Sequence, residues 1–270
     1  MADRYAGRSE VWGVDLAPFQ PHLIPSNAKF QSLDIESHWH LGSDSWDLIH
    51  IRCLNGVVRN WPSLYNTVYD HLIPGVGHIE QIEMDWTPLD GAGPHLTNWS
   101  RTLLACMDRA GRSLRIDAAE TYSALQEAGF DDIRTTCYYF PFARKGGQRT
   151  SNRDMQSPRQ TSSPTASTAG TTSFSSMPSP SAFSNRSIDD GGDGNDSDDS
   201  KSVGTDVWFP RAFEQWLEGL TLMPMLRAGY SLEAVYRLLE DVRQELEDPT
   251  LNAKCTMYVW TAKCPVRQEQ

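Results

Sequence analysis

Short apolar runs alternate with amphipathic segments along the first half of this chain, and that alternation restricts the fold more than any other feature. "EVWGVD" (10–15), "KFQSLDIE" (29–36), "WDLIHIRCL" (46–54), "HIEQIEMDW" (78–86) and "DIRTTCYYFPF" (132–142) read as strands. Between them, "WPSLYNTVYDHL" (61–72) reads as a helix with Pro62 near its start, where a fixed φ does no harm. "LTNWSRTLLACMDRAG" (96–111) places Leu96, Trp99, Leu103 and Met107 on one helical face. "DAAETYSALQEAGF" (117–130) opens with Asp117 and Glu120 at capping-box spacing and stops at Gly129. Strands alternating with helices predict an α/β protein, a mostly parallel sheet with helices on both faces.

The alternation breaks at 144–206. This segment is rich in Ser, Thr and Pro, then in Asp (Asp189, Asp190, Asp193, Asp196, Asp198, Asp199). It explains a mean hydropathy of -0.50 in a chain that is 39% hydrophobic. So little apolar surface does not offset the entropy of ordering, so disorder is the expectation. A surface loop without purpose is the plain reading. The functional one is regulatory phosphorylation at the Ser-Pro steps of Ser157, Ser163 and Ser179, which would suit an Arg-rich partner. Periodicity resumes after the segment. "PRAFEQWLEGLTLM" (210–223) is helical. "SLEAVYRLLEDVRQELED" (231–248) is capped by Ser231 and carries a stripe of Leu232, Val235, Leu238, Leu239, Val242 and Leu246. "CTMYVWTAKC" (255–264) is a last strand. The folded parts are thus 1–143 and 207–270, one domain interrupted by an insertion.

Bulk properties exclude some roles. A net charge of -11 argues against nonspecific nucleic-acid binding, which needs a basic face. The five cysteines include no C-x-x-C pair, which fits reduced thiols in the nucleus or cytoplasm. No stretch nears the ~20 apolar residues of a membrane span.

In a wound sheet, ligands sit beyond the carboxyl ends of the strands. Asp15, the Asp34/Glu36 pair and Arg52 stand at such ends. A carboxylate there can accept both hydroxyls of a ribose, and one on the next strand can bond an adenine amino group. Singly, such an acid is as well explained as a turn former.

The whole string adds to this. Asp15, Pro18, Gln20 and Pro21; then Asp34, Ile35, Glu36 and Trp39; then Asp47, His50, Arg52 and Gly56; then Pro74, Glu80, Glu83 and Trp86 follow the "DLSPIQP", "DIE…W", "DLIH.R.L.G" and "L.PGG..E..E.DW" blocks of one family. "LQEAGFDDIR", "LEGLTLMPMLRAGYSLEAVYRLLEDVRQEL" and "YVWTAKCP" continue the match. In these blocks the chain resembles the fungal LaeA-like methyltransferases. The resemblance implies a class I S-adenosylmethionine (SAM)-dependent methyltransferase sheet, Rossmann-like, whose last strand runs antiparallel beside "DIRTTCYYF". It implies SAM as cofactor, with Asp15, Leu16, Asp34, Ile35, Glu36 and Arg52 as cofactor-binding residues. No metal and no dedicated catalytic residue are expected. His78, Glu83 and Asp85, near the end of their strand, are candidates for the acceptor pocket, against a plain reading as turn and solvated residues. The tryptophans Trp12, Trp39, Trp46, Trp86 and Trp99 are expected in the core.

By the same resemblance, the family's first strand and its glycine-rich turn ("D.GTGTG.W") would stand before Met1. The expectation is a chain that starts inside the fold, from a shortened gene model or a degenerate member, with weakened SAM binding. Implied roles are regulation of secondary metabolism, development and sporulation, with the velvet-domain proteins VeA and VelB as partners and self-methylation on methionine. Two alternatives stand beside this: a non-catalytic interaction protein on the same fold, and a biosynthetic-cluster methyltransferase acting on a small metabolite. An NAD dehydrogenase would need the same glycine turn.

Overall fold

The computed structural model describes Ala2 and residues 7–17, 23–88, 91–143 and 205–267, the side chains of 205–207 excepted. Pro18, Gln20, Pro21, the Ser-Pro steps and the Asp-rich run lie outside the described residues. The described residues divide into two compact units, one holding those up to Ser32 and the other those from Leu33 onward.

The first unit is a parallel pair, β1 (Val11–Asp15) and β2 (Ala28–Ser32), in register Val11 to Ala28 through Asp15 to Ser32. Lys29 reaches across it, with Nζ 3.0 Å from Glu10 and 5.0 Å from the Trp12 ring. The second unit contains β3 (Leu48–Arg52), α1 (Trp61–His71), β4 (His78–Asp85), α2 (Pro94–Arg109), α3 (Ala118–Glu127), β5 (Asp131–Pro141), α4 (Thr205–Arg227), α5 (Leu232–Leu246) and β6 (Lys254–Lys263). Its sheet has the order β3-β4-β6-β5. β3 and β4 are parallel, and β6 runs antiparallel to both β4 and β5. The last strand therefore enters beside "DIRTTCYYF", as the resemblance implied.

Period-2 alternation along β6 builds two cores. Cys255, Met257 and Val259 face the layer of α2, α4 and α5, while Trp260, Ala262 and Cys264 face the layer of α1 and α3. Helices thus cover both faces of this sheet. In the first layer, the Trp99 ring is fully buried against Trp86 and Phe213. Its Nε1 donates to Thr221 Oγ1 at 2.8 Å, and that hydroxyl donates to the Leu217 carbonyl. A buried hydroxyl and indole are thereby both satisfied.

Local signals act where they stand in the sequence. Asp117 Oδ1 accepts from the N–H groups of Ala119 and Glu120, and Ser231 Oγ accepts from Ala234. Val235, Leu239, Val242 and Leu246 are buried along α5, while Leu232, at the helix start, is exposed. α4 begins at Thr205, ahead of the expected Pro210 and inside the stretch expected to be disordered. A proline in the second turn removes one rung of the hydrogen-bond ladder, which this long helix tolerates. Of the five tryptophans expected in the core, Trp39, Trp86 and Trp99 are buried and Trp12 and Trp46 are half-buried.

Candidate functional site

The carboxyl ends of β3 and β4 lie side by side, because the two strands are parallel with Arg52 opposite Ile82. The chain leaving β3 turns sharply there. Cys53 adopts φ 55 and Gly56 φ 79, and the Cys53 N–H bonds the Ile82 carbonyl at 2.9 Å. A Cβ at Gly56 would lie 2.8 Å from Leu114 Cδ2 and 2.9 Å from Met107 Cε, so glycine answers both the backbone conformation and the close approach.

Glu83 fixes this loop. Its carboxylate accepts from the backbone N–H groups of Leu54 at 3.0 Å and Asn55 at 3.1 Å, one per oxygen. The residue is 1% exposed. Burial pushes its carboxyl up to about 7, against the opposing pull of the two N–H donors and Gln81. Gln81, next on the same strand face, accepts from the Tyr65 hydroxyl at 2.7 Å and ties α1 to the sheet. Glu83 is therefore the anchor of the β3 loop.

Two further carboxylates do the same work. Glu36 Oε1 accepts from Arg59 and Asn60 N–H just ahead of α1. Glu245 of α5 accepts from His95 at 2.7 Å and Leu96 at 3.0 Å, capping α2 from a distant helix. The N-cap of α2 is Gly93, which has no side chain to cap with, and a Cβ there would lie 2.5 Å from the Glu245 carboxyl carbon. Neither Glu83's anchoring role nor the Glu245 cap was read from the sequence. The one available signal was a helix opening on Gly-Pro without a capping side chain, which calls for a partner from elsewhere.

The remaining predicted residues fall as follows. Asp15 and Leu16 belong to the first unit; both are exposed, and Asp15 Oδ1 accepts from Ala17 N–H at 3.1 Å. Asp34, Ile35, Glu36 and Arg52 belong to the second. Asp34 is exposed and turns its own chain, with Oδ1 accepting from Glu36 N–H at 3.0 Å. Ile35 packs half-buried on the α1/α3 core. Arg52 is half-buried at the end of β3, and His50, two residues before it, pairs with Glu80 at 2.8 Å. Asp85 closes β4 and accepts from Thr87 N–H. The expectation for His78 needs correction. His78 opens β4 where Asp85 ends it, so seven residues of strand, ~23 Å, separate them. His78 stands at the amino end of a strand whose carboxyl end borders the β3 loop.

Beside the β3 loop opens a cavity of about 480 Å³. Its walls are Gly56 and Val57, the end of α2 with Met107 and Arg109, Arg112 just past that helix, and the end of α4 with Met223 and Arg227. Among the described residues no group of His, Cys, Asp and Glu is arranged to hold a metal, and no helix is long and apolar enough to cross a membrane.

No family model matches the chain. Curated relatives do. The secondary metabolism regulator LAE1 of Cochliobolus heterostrophus is 33% identical over 273 residues, covering 98% of this chain and 72% of that protein. The secondary metabolism regulator laeA of Fusarium oxysporum f. sp. lycopersici is 27% identical over 281 residues, covering the whole chain and 72% of that protein. The laeA of Monascus pilosus is 44% identical over 130 residues, 46% of this chain and 35% of its own. Among solved structures, the Haemonchus contortus phosphoethanolamine N-methyltransferase 2 in complex with S-adenosyl-L-methionine aligns at 12% identity and a TM-score of 0.44, over 98% of this chain and 45% of that one. The [4+2]-cyclase SpnF aligns at 13% and 0.43, over 97% and 69%. The alignment to LAE1 runs through both folded parts at one-third identity, and on that ground this chain belongs to the LaeA/LAE1 family of secondary metabolism regulators.

Proposed function

We propose that this protein is a SAM-dependent methyltransferase that regulates secondary metabolism and development together with the velvet-domain proteins VeA and VelB, in the nucleus and/or cytoplasm, with self-methylation among its reactions. The carrying observation is the match to a secondary metabolism regulator over 98% of the chain. The insertion of β6 antiparallel between β4 and β5 is the sheet order expected of such an enzyme.

Asp15 at the end of β1 and Asp34 past the end of β2 suit the donor's sugar and base. Asp15 and Asp34 are exposed carboxylates, and the backbone bond recorded for each uses one oxygen of two. Within the first unit, Asp15, with Leu16 next to it in the chain, would accept from ribose hydroxyls; within the second, Asp34, with Ile35 next to it, would accept from the adenine amino group, and the Arg52 backbone stands at the end of β3. Glu36 would act through position, holding the start of α1 by its bonds to Arg59 and Asn60. SAM supplies a methyl already activated on a sulfonium, so what is asked of the protein is alignment of the acceptor and exclusion of water. The β3 loop, held by Glu83, would form one wall of that enclosure. His78 has no part in it.

Calorimetric titration of the full chain with SAM tests the reading. Saturable binding is expected, weakened at least about tenfold in Asp34→Ala, where a charge-assisted hydrogen bond is lost, and unchanged in the surface variant Arg134→Ala. Failure to bind SAM while VelB still associates would overturn the enzyme and leave an interaction protein on this fold.

A further inference from the structure

The cavity beside the β3 loop is lined by three arginines and by no acidic residue. That is a concentration of positive charge in a chain of net charge -11. Arg109 lies exposed at the end of α2, with Nε near the Ala105 carbonyl at 3.3 Å. Arg112, half-buried, donates to the Val57 carbonyl of the opposite wall. Arg227 ends α4 and is exposed. Among the described residues none of the three pairs with a carboxylate, although Arg115, Arg134, Arg237, Arg243 and Arg267 all do. A helix dipole favours a cation in the last turn, which accounts for Arg109 and Arg227 taken singly. It does not account for their meeting Arg112 around one concavity. The rest of the wall is apolar, with Met107, Met223 and Val57.

Resting on the methyltransferase reading above, we infer that this cavity takes the methyl acceptor, and that the acceptor is an anionic small molecule with an apolar body. Planar guanidinium groups recognise carboxylates in a bidentate manner. The methionine thioethers, flexible and polarisable, adapt to apolar outlines of various shapes. Arg112 sets the depth of the site by tying the end of α2 to the β3 loop, and Arg109 and Arg227 are the charges presented to the ligand.

The test uses 2-naphthoate and its neutral counterpart 2-naphthamide as probes, titrated into the full chain by calorimetry, alone and with saturating SAM. Naphthoate is expected to bind at least about tenfold more tightly than the amide, as charge assistance predicts. The preference should collapse in Arg109→Gln/Arg227→Gln and persist in Arg237→Gln, which alters an exposed arginine of α5. Both variants change exposed side chains, and unchanged circular dichroism would confirm folding. Equal binding of the two probes, no binding of either, or a preference that survives in the double variant overturns the inference. So does displacement of naphthoate by SAM, because the cavity would then belong to the donor. A retained charge preference in a protein that does not bind SAM would leave the anion site standing and remove its role in methyl transfer.

Discussion

β1 and β4 are both strands that end on an aspartate, Asp15 in one and Asp85 in the other. In β1 no residue is buried, and its partner β2 is no better covered. In β4, Ile79, Gln81, Ile82, Glu83 and Met84 are all buried. The difference lies in what surrounds each strand. Among the described residues β1 pairs with β2 alone, whereas β4 lies between β3 and β6 with helices packed on both faces. An apolar run specifies that a strand can form. Whether the strand contributes an interior depends on the layers that cover it. The same contrast applies to acids: Asp15 bends its own chain at the surface, while Glu83 is drawn inside and must be satisfied there.

The widest gap between the two regions should appear on truncation of an aromatic ring. Trp99→Ala, in the core beneath α2, should destabilise by about 3–5 kcal/mol, and Phe30→Ala, on half-exposed β2, by under ~1 kcal/mol. Urea denaturation of both variants measures this, and equal losses would mean that β1 and β2 carry a core of their own.

Glu83 sharpens the contrast through pH. Its carboxyl is raised from 4.5 to about 7 in the folded protein. Between those values the native state holds a proton that the unfolded chain has released. The stabilisation is therefore complete below about pH 4.5 and lost as pH rises through 7, on the order of 3 kcal/mol in all. Glu83→Gln should flatten this part of the stability profile, read by denaturation at a series of pH values. A profile identical in Glu83→Gln and the parent chain would show that the group titrates normally.

The smallest effect should fall on a local device. Ser231→Ala removes one cap bond, to Ala234 N–H, and should cost about 1 kcal/mol by the same denaturation measurement. A loss comparable to that of Trp99→Ala would imply that the cap holds more than its own helix.

The sequence disclosed features whose cause is near at hand along the chain. Asp117 and Ser231 cap because their oxygens lie within reach of N–H groups two or three residues on. The stripes of α2 and α5 follow from helical period, and the two faces of β6 from strand period. For the site, the strand-end positions of Asp15 and Arg52 were legible, because each closes its strand, whereas β2 stops at Ser32, two residues short of Asp34. The strand end assigned to His78 was misread: His78 is the first residue of its strand, opposite the carboxyl end that Asp85 closes. The Glu245 cap on α2 joins residues 149 and 150 positions apart, and Arg227 reaches the cavity from a helix beyond the insertion. Neither leaves a periodic trace.

By itself, the chain of residues determined which segments are strands and helices, where several of them start and stop, and the family whose blocks they follow. Those properties depend on backbone conformation and on spacing over a few residues. Only the tertiary structure decided which strand-end acid stays in water and which becomes a buried clamp, and which arginines gather around one cavity. Desolvation and charge convergence depend on what other segments bring to the same place, and that is a property of packing.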